Sequence, residues 1–166
     1  MTAKGHFRSL GIIHAFLLIT LSAAAIVSFY LHGQRTEGED PQVADETTTS
    51  LLLVACIIIG IVVIIAADII YKGRVKKIND NENQDYDHKL SSFKSAVIVE
   101  WIWLLFANVG SLWCYYLTGN NVILVIFIVL WIVFFFNMPT RKKLVKDVDF
   151  NQQEKMKIFE QSEIAT

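Results

Sequence analysis

The stretch Phe93-Lys94-Ser95-Ala96-Val97-Ile98-Val99-Glu100-Trp101-Ile102-Trp103 opens an apolar run that continues to Leu117. A run of that length, entered from a lysine and holding one carboxylate, reads as a membrane-crossing helix with an acid inside it. Three more apolar blocks occur in the chain. The hydrocarbon core of a bilayer is roughly 30 Å thick, and a helix needs about twenty apolar residues to cross it. With 54% hydrophobic residues, 12% aromatics and apolar residues gathered into blocks, the 166-residue chain is no ordinary soluble domain.

Working outward, the blocks are expected at 9–31, 50–71, 95–117 and 122–137. A basic head, 1–8, precedes the first. Ser22-Ala23-Ala24-Ala25 resembles a signal cleavage site, but the apolar run carries on to Leu31, so a retained helix is the reading preferred. Residues 32–49 form an acidic outer loop holding Pro41, and Thr47-Thr48-Thr49-Ser50 is read as a cap for the second block. The second block is rich in β-branched residues, which are helical in lipid because the backbone must satisfy its own hydrogen bonds there. Cys56 and Gly60 give it a small-residue face. Residues 72–94 read as a charged, solvated linker with room for a short helix, and 118–121 (Thr118-Gly119-Asn120-Asn121) as a tight turn. Met138-Pro139 stops the fourth block. The tail, 138–166, is expected to carry a short amphipathic helix over about 152–161, opened by the capping pair Asn151 and Glu154, with Met156 and Phe159 on its apolar side.

Charge predicts the threading. The head, the 72–94 loop and the tail hold fourteen of the fifteen Lys and Arg residues, and the 32–49 loop holds only Arg35. Positive charge stays on the cytoplasmic side. The expected fold class is therefore all-α: a polytopic four-transmembrane-helix bundle, multi-pass, with both termini cytoplasmic. In a bacterium this would be the inner membrane.

An internal repeat is also expected. At an offset of 86, Phe7, Ser9, Ile12, Leu18, Tyr30 and Gly33 meet Phe93, Ser95, Ile98, Leu104, Tyr116 and Gly119, and His14 lands on Glu100. At an offset of 67, Arg74 meets Arg141 and Asp80 meets Asp147. Such a duplication gives two hairpins of like orientation, an arrangement found in transporters.

Ionisable groups inside a span cost roughly 2.5–3.5 kcal/mol on insertion scales, so they single out candidate sites. His14, Glu100 and Asp68, with Asn137 at the end of the fourth block, are expected at a similar depth. Together they form the candidate ion, proton or ligand site, with Trp101 and Trp103 as an aromatic lining. Asn108, near mid-bilayer, is a further candidate and equally an interhelical tie. The plainer readings are that Asp68 pairs with Lys72, that Glu100 reaches Lys94 or Arg74, and that His14 is hydrogen-bonded to a neighbouring helix. Arg74, Lys76, Lys77, Arg141, Lys142 and Lys143 are candidate contacts for lipid headgroups.

No haem is expected, because His14 and His32 are eighteen residues apart on one helix, roughly 27 Å. A disulfide joining Cys56 to Cys114 is conceivable but unusual inside a bilayer. Neither metal, cofactor nor nucleic acid is implied, and no catalytic motif marks an enzyme. Two functions remain. The first is a non-catalytic membrane subunit or scaffold, forming a homo-oligomer or a larger assembly, its tail docking a cytoplasmic partner. The second is a small ion- or proton-coupled transporter or channel using Glu100.

Overall fold

The computed structural model describes residues 3–36, 45–81 and 84–160. These residues form six helices and no strand: α1 (Ala3–Thr36), α2 (Glu46–Asn79), α3 (Tyr86–Thr118), α4 (Asn121–Phe136), α5 (Arg141–Asp147) and α6 (Gln152–Glu160). Most of the acidic outer loop, 37–44, and the last residues, 161–166, lie outside the described part.

α1, α2 and α3 are each long and apolar enough to cross a membrane. α4 has 16 residues, about 24 Å of helix. It meets that criterion only together with α5, from which it is bent by 79°. Large apolar side chains such as Phe16, Ile19, Ile58, Ile65, Phe106 and Phe136 point outward. A soluble fold would bury such residues, so the surface suggests association with a membrane.

α3 is the central helix. It packs on α1, α2 and α4 and buries a stripe that includes Leu90, Phe93, Val97, Trp101, Leu104, Asn108 and Tyr115. Gly60 seats α4: a Cβ there would lie 3.7 Å from Ile126 and 3.9 Å from Leu130, ordinary contact distances. At one end of the bundle, Gly119 ends α3 in the left-handed region (φ 63°), its N–H bonded to Tyr115 O at 2.7 Å. The Asn120 side chain then caps α4 by accepting from Val122 N at 2.8 Å. The ring of His32 fills the space a side chain at 119 would need.

The basic end departs from expectation. Residues 72–79 and 86–94 are helical rather than a solvated linker. α2 runs on to Asn79, and α3 starts at Tyr86. The two helices continue past their apolar blocks because each keeps an apolar stripe there at three- and four-residue spacing. Val75 and Ile78 on α2 and Leu90 and Phe93 on α3 are all buried. Residues 3–8 of the head are likewise part of α1. Thr47 to Ser50 lie inside the first turns of α2, whose N-cap is Asp45.

The tail is not free either. After Pro139, α5 turns back across the ends of α2 and α3 and buries Leu144, with Val148 and Phe150 following it into the same core. Asn151 and Glu154 form the expected reciprocal cap of α6, at 2.9 and 2.8 Å. The residue that α6 buries is Ile158, however, while Met156 and Phe159 are exposed. Docking against α1 and the α2–α3 hairpin chose a different face from the one hydropathy alone suggested.

Candidate functional site

Where α5 crosses beneath α2 and α3, the polar residues at the end of the apolar blocks meet. Thr140 caps α5 by accepting from Lys143 N at 3.1 Å, which fixes Lys143 in the first turn. From there Lys143 Nζ sits 3.5 Å from Glu100 Oε2. This is an ion pair longer than a charge-assisted hydrogen bond. The same ammonium lies 4.4 Å from the centre of the Tyr71 ring, a cation–π contact. The Tyr71 hydroxyl donates to Asp147 Oδ2 at 2.5 Å, so both ends of α5 are tied to α2 and α3. Asn79 secures the next turn, donating to Asp147 O at 2.9 Å and accepting from Asp149 N at 3.0 Å. Lys89 then reaches Asp149 O at 3.0 Å and Glu154 at 3.5 Å, both side chains being mostly buried.

Around this linkage lies a cleft of about 360 Å³ lined by Asp68, Tyr71, Lys72, Val75, Glu100, Asn137, Lys143 and Asp147. Three of the expected site residues, Glu100, Asp68 and Asn137, therefore share one cleft. Asp68 is also paired with Lys72 at 2.6 Å on the exposed face of α2, as its four-residue spacing suggests. Glu100 is buried, and its partner is neither Lys94 nor Arg74 but Lys143. Lys94 instead donates to Ser9 Oγ at 3.3 Å.

His14 does not line the cleft. It is buried, stacked on Phe134 and tilted against Trp101 with ring centres 4.9 Å away in each case. Its Nε2 donates to Phe134 O at 3.0 Å. Trp101, also buried, donates from Nε1 to Asn137 O at 3.2 Å. The last carbonyls of a helix have no partner within it. Pro139 prevents α4 from continuing, so α1 and α3 supply donors for two of these carbonyls. Trp103 faces outward and is 43% exposed, so it shares no lining with Trp101. Asn108 is fully buried, with Nδ2 on Leu104 O of its own helix at 2.8 Å and Oδ1 without a hydrogen-bond partner.

Of the basic residues expected at headgroups, Arg74, Lys76, Lys77 and Lys142 are exposed, while Lys143 is taken up by Glu100. Sequence reasoning missed Tyr71, Asp147 and Asn79 as members of the linkage. Leu144 and Val148, four apart in an otherwise charged tail, were the available sign that this segment packs. Cys56 and Cys114 are both unpaired thiols.

No family model matches the chain, and no curated protein or solved structure proves similar to it. Fold and site together describe a helical, membrane-associated protein whose basic end is closed by its own C-terminal segment.

Proposed function

We propose that the chain is a four-span membrane protein with both ends in the cytoplasm, acting as a non-catalytic subunit or scaffold. The observation that carries this reading is the Glu100–Lys143 pair. The most deeply buried acid among the described residues, the natural titrating group of a carrier, is engaged by the segment that closes the basic end. His14, Asn108, Ser111 and Thr118, the other buried polar groups of the described spans, bond to helix carbonyls.

The distribution of Lys and Arg supports the threading. In this reading α4 is the fourth span and α5 lies along the cytoplasmic surface, where α2, α3, α5 and α6 present a folded platform to a cytoplasmic partner. Exposed apolar grooves support a homo-oligomer or a larger assembly. One lies between α1 and α3, about 380 Å³, beside Ala24, Ser28, Leu112 and Trp113. Duplication of a hairpin remains part of the reading. It relates the projecting end of α2 to α5, with Pro139 bending the second copy where the first runs straight.

The second reading, an ion- or proton-coupled carrier, draws on the cleft itself, where Asp68 and Asp147 stand near Glu100. Proteoliposome flux separates the two. The scaffold reading expects no proton or monovalent-cation flux above empty vesicles, for wild type and Glu100→Gln alike. Flux that Glu100→Gln abolishes establishes the carrier.

A further inference from the structure

On the side of the α2–α3 hairpin away from the Glu100 cleft lies a second polar hollow, of about 220 Å³, lined by Arg74, Lys77, Ile78, Gln84, Ser92 and Ser95. Among the described residues it holds two cations, two hydroxyls and no carboxylate. Among the described residues, no acid pairs with Arg74 or Lys77. Gln84, placed by its N–H to Asn81 O at 3.2 Å, has a buried Oε1 without a hydrogen-bond partner. Cations and hydroxyls suit a phosphate, and an unfilled carbonyl acceptor suits a hydroxyl on the same ligand.

The hollow's place in the helices says what bears that phosphate. Arg74 lies three residues past the end of the second apolar block, about 5 Å along the helix, and Ser95 opens the third block. In the proposed threading this is the level of the cytoplasmic headgroups. The stripe that holds the hollow continues into the apolar region. On α2, Lys77, Arg74, Ile70, Val63 and Ile59 fall within about 60° of one another at 3.6 residues per turn. On α3, Ser92, Ser95, Val99, Trp103 and Phe106 fall within about 80°. Both stripes lead to an apolar hollow of about 290 Å³ whose lining includes Ile59, Val63, Trp103 and Phe106. From Ser95 to Phe106 is about 16 Å of helix, close to half of a 30 Å hydrocarbon core and thus the reach of one leaflet.

We infer that the α2–α3 groove is a binding site for one anionic phospholipid with a hydroxylated headgroup. The phosphate sits between Arg74 and Lys77, a head hydroxyl donates to Gln84 Oε1, and an acyl chain lies along the groove to Phe106. The inference rests on the membrane reading but not on the choice between scaffold and carrier, so flux in proteoliposomes leaves it standing.

The test is native mass spectrometry of the intact protein in detergent, titrated with phosphatidylglycerol, phosphatidylcholine or soluble glycerol 3-phosphate. The expected result is one tightly held phosphatidylglycerol and much weaker retention of the other two. The double variant Arg74→Gln/Lys77→Gln is expected to weaken phosphatidylglycerol about thirtyfold, at about 1 kcal/mol per cation near an anionic surface. Lys76→Gln, on the opposite side of α2, is expected to leave binding within about twofold of wild type. All three substituted residues are exposed, and circular dichroism checks that each variant is folded. Equal retention of phosphatidylcholine overturns the inference, as does equal loss in Lys76→Gln. Glycerol 3-phosphate held as tightly as the lipid also overturns it and makes the hollow a site for soluble phosphate esters.

Discussion

Glu100 and Lys143 share an ion pair but not an environment: the side chains are 5% and 25% exposed. Removing one partner of a buried pair strands the other, and the cost depends on which is left behind. Lys143→Met leaves a carboxylate enclosed and is expected to cost about 3 kcal/mol. Glu100→Gln leaves an ammonium that can swing to water and is expected to cost about 1 kcal/mol. Chemical unfolding in detergent measures both, and the double variant should cost less than the sum of the singles. Equal costs would show that the pair is solvated. Gly119 is a second position where one residue decides. Gly119→Ala meets left-handed backbone strain of about 1–2 kcal/mol and a clash of the new Cβ with the His32 ring. His32→Ala in that background is expected to remove the clash and leave the strain, recovering only part of the lost melting temperature.

Among the elements, α5 is the piece whose position is least apparent from its own composition. Five of its seven residues are charged, and Leu144 is its single buried residue. Leu144→Asp places a carboxylate at a site with no accessible surface. The expected outcome is release of 141–160 with α1–α4 intact. Trypsin added to inside-out vesicles would then cut rapidly after Arg141 to Lys146, where wild type is protected, while helical content falls only slightly. α4 depends on its neighbours in a different way. His14→Leu removes the side-chain donor to Phe134 O and leaves that carbonyl only the Asn137 N–H at 3.2 Å, so hydrogen exchange should quicken over 131–137 and stay unchanged in the middle of α2. Uniform quickening would mean that His14 supports the whole bundle rather than the end of one helix.

For the molecule as a whole, the proposed threading puts both termini on one side. Reporters fused at residue 1 and residue 166 should give the same cytoplasmic signal in intact cells. Opposite signals would leave three spans, with α4 lying along the surface, and the chain would need another account of its basic end. The larger core cluster runs from Leu21 in α1, through the centre of α3, to Ile158 in α6, with a smaller one around Cys56, Tyr115 and Ile123. The bundle and its platform are therefore expected to unfold in one cooperative step.

The sequence by itself determined that the chain is helical and where its long apolar blocks lie. Apolar blocks of about twenty residues leave the backbone one way to satisfy its hydrogen bonds in lipid. The turn at Gly119 and the cap at Asn151 were equally legible, because each is settled within four residues. Only the tertiary structure decided that 72–79 and 86–94 are helical, that Lys143 answers Glu100, that His14 secures the end of α4, and that Ile158 rather than Met156 docks α6. The stripe Val75, Ile78, Leu90 and Phe93 was there to be read, but a stripe states that a face is covered and not by what. The partner of Glu100 lies 43 residues away along the chain and reaches it because Pro139 turns the backbone there. Glu100 thus entered as a candidate titrating group within an apolar run, and in the fold it is the anchor of the segment that closes the bundle.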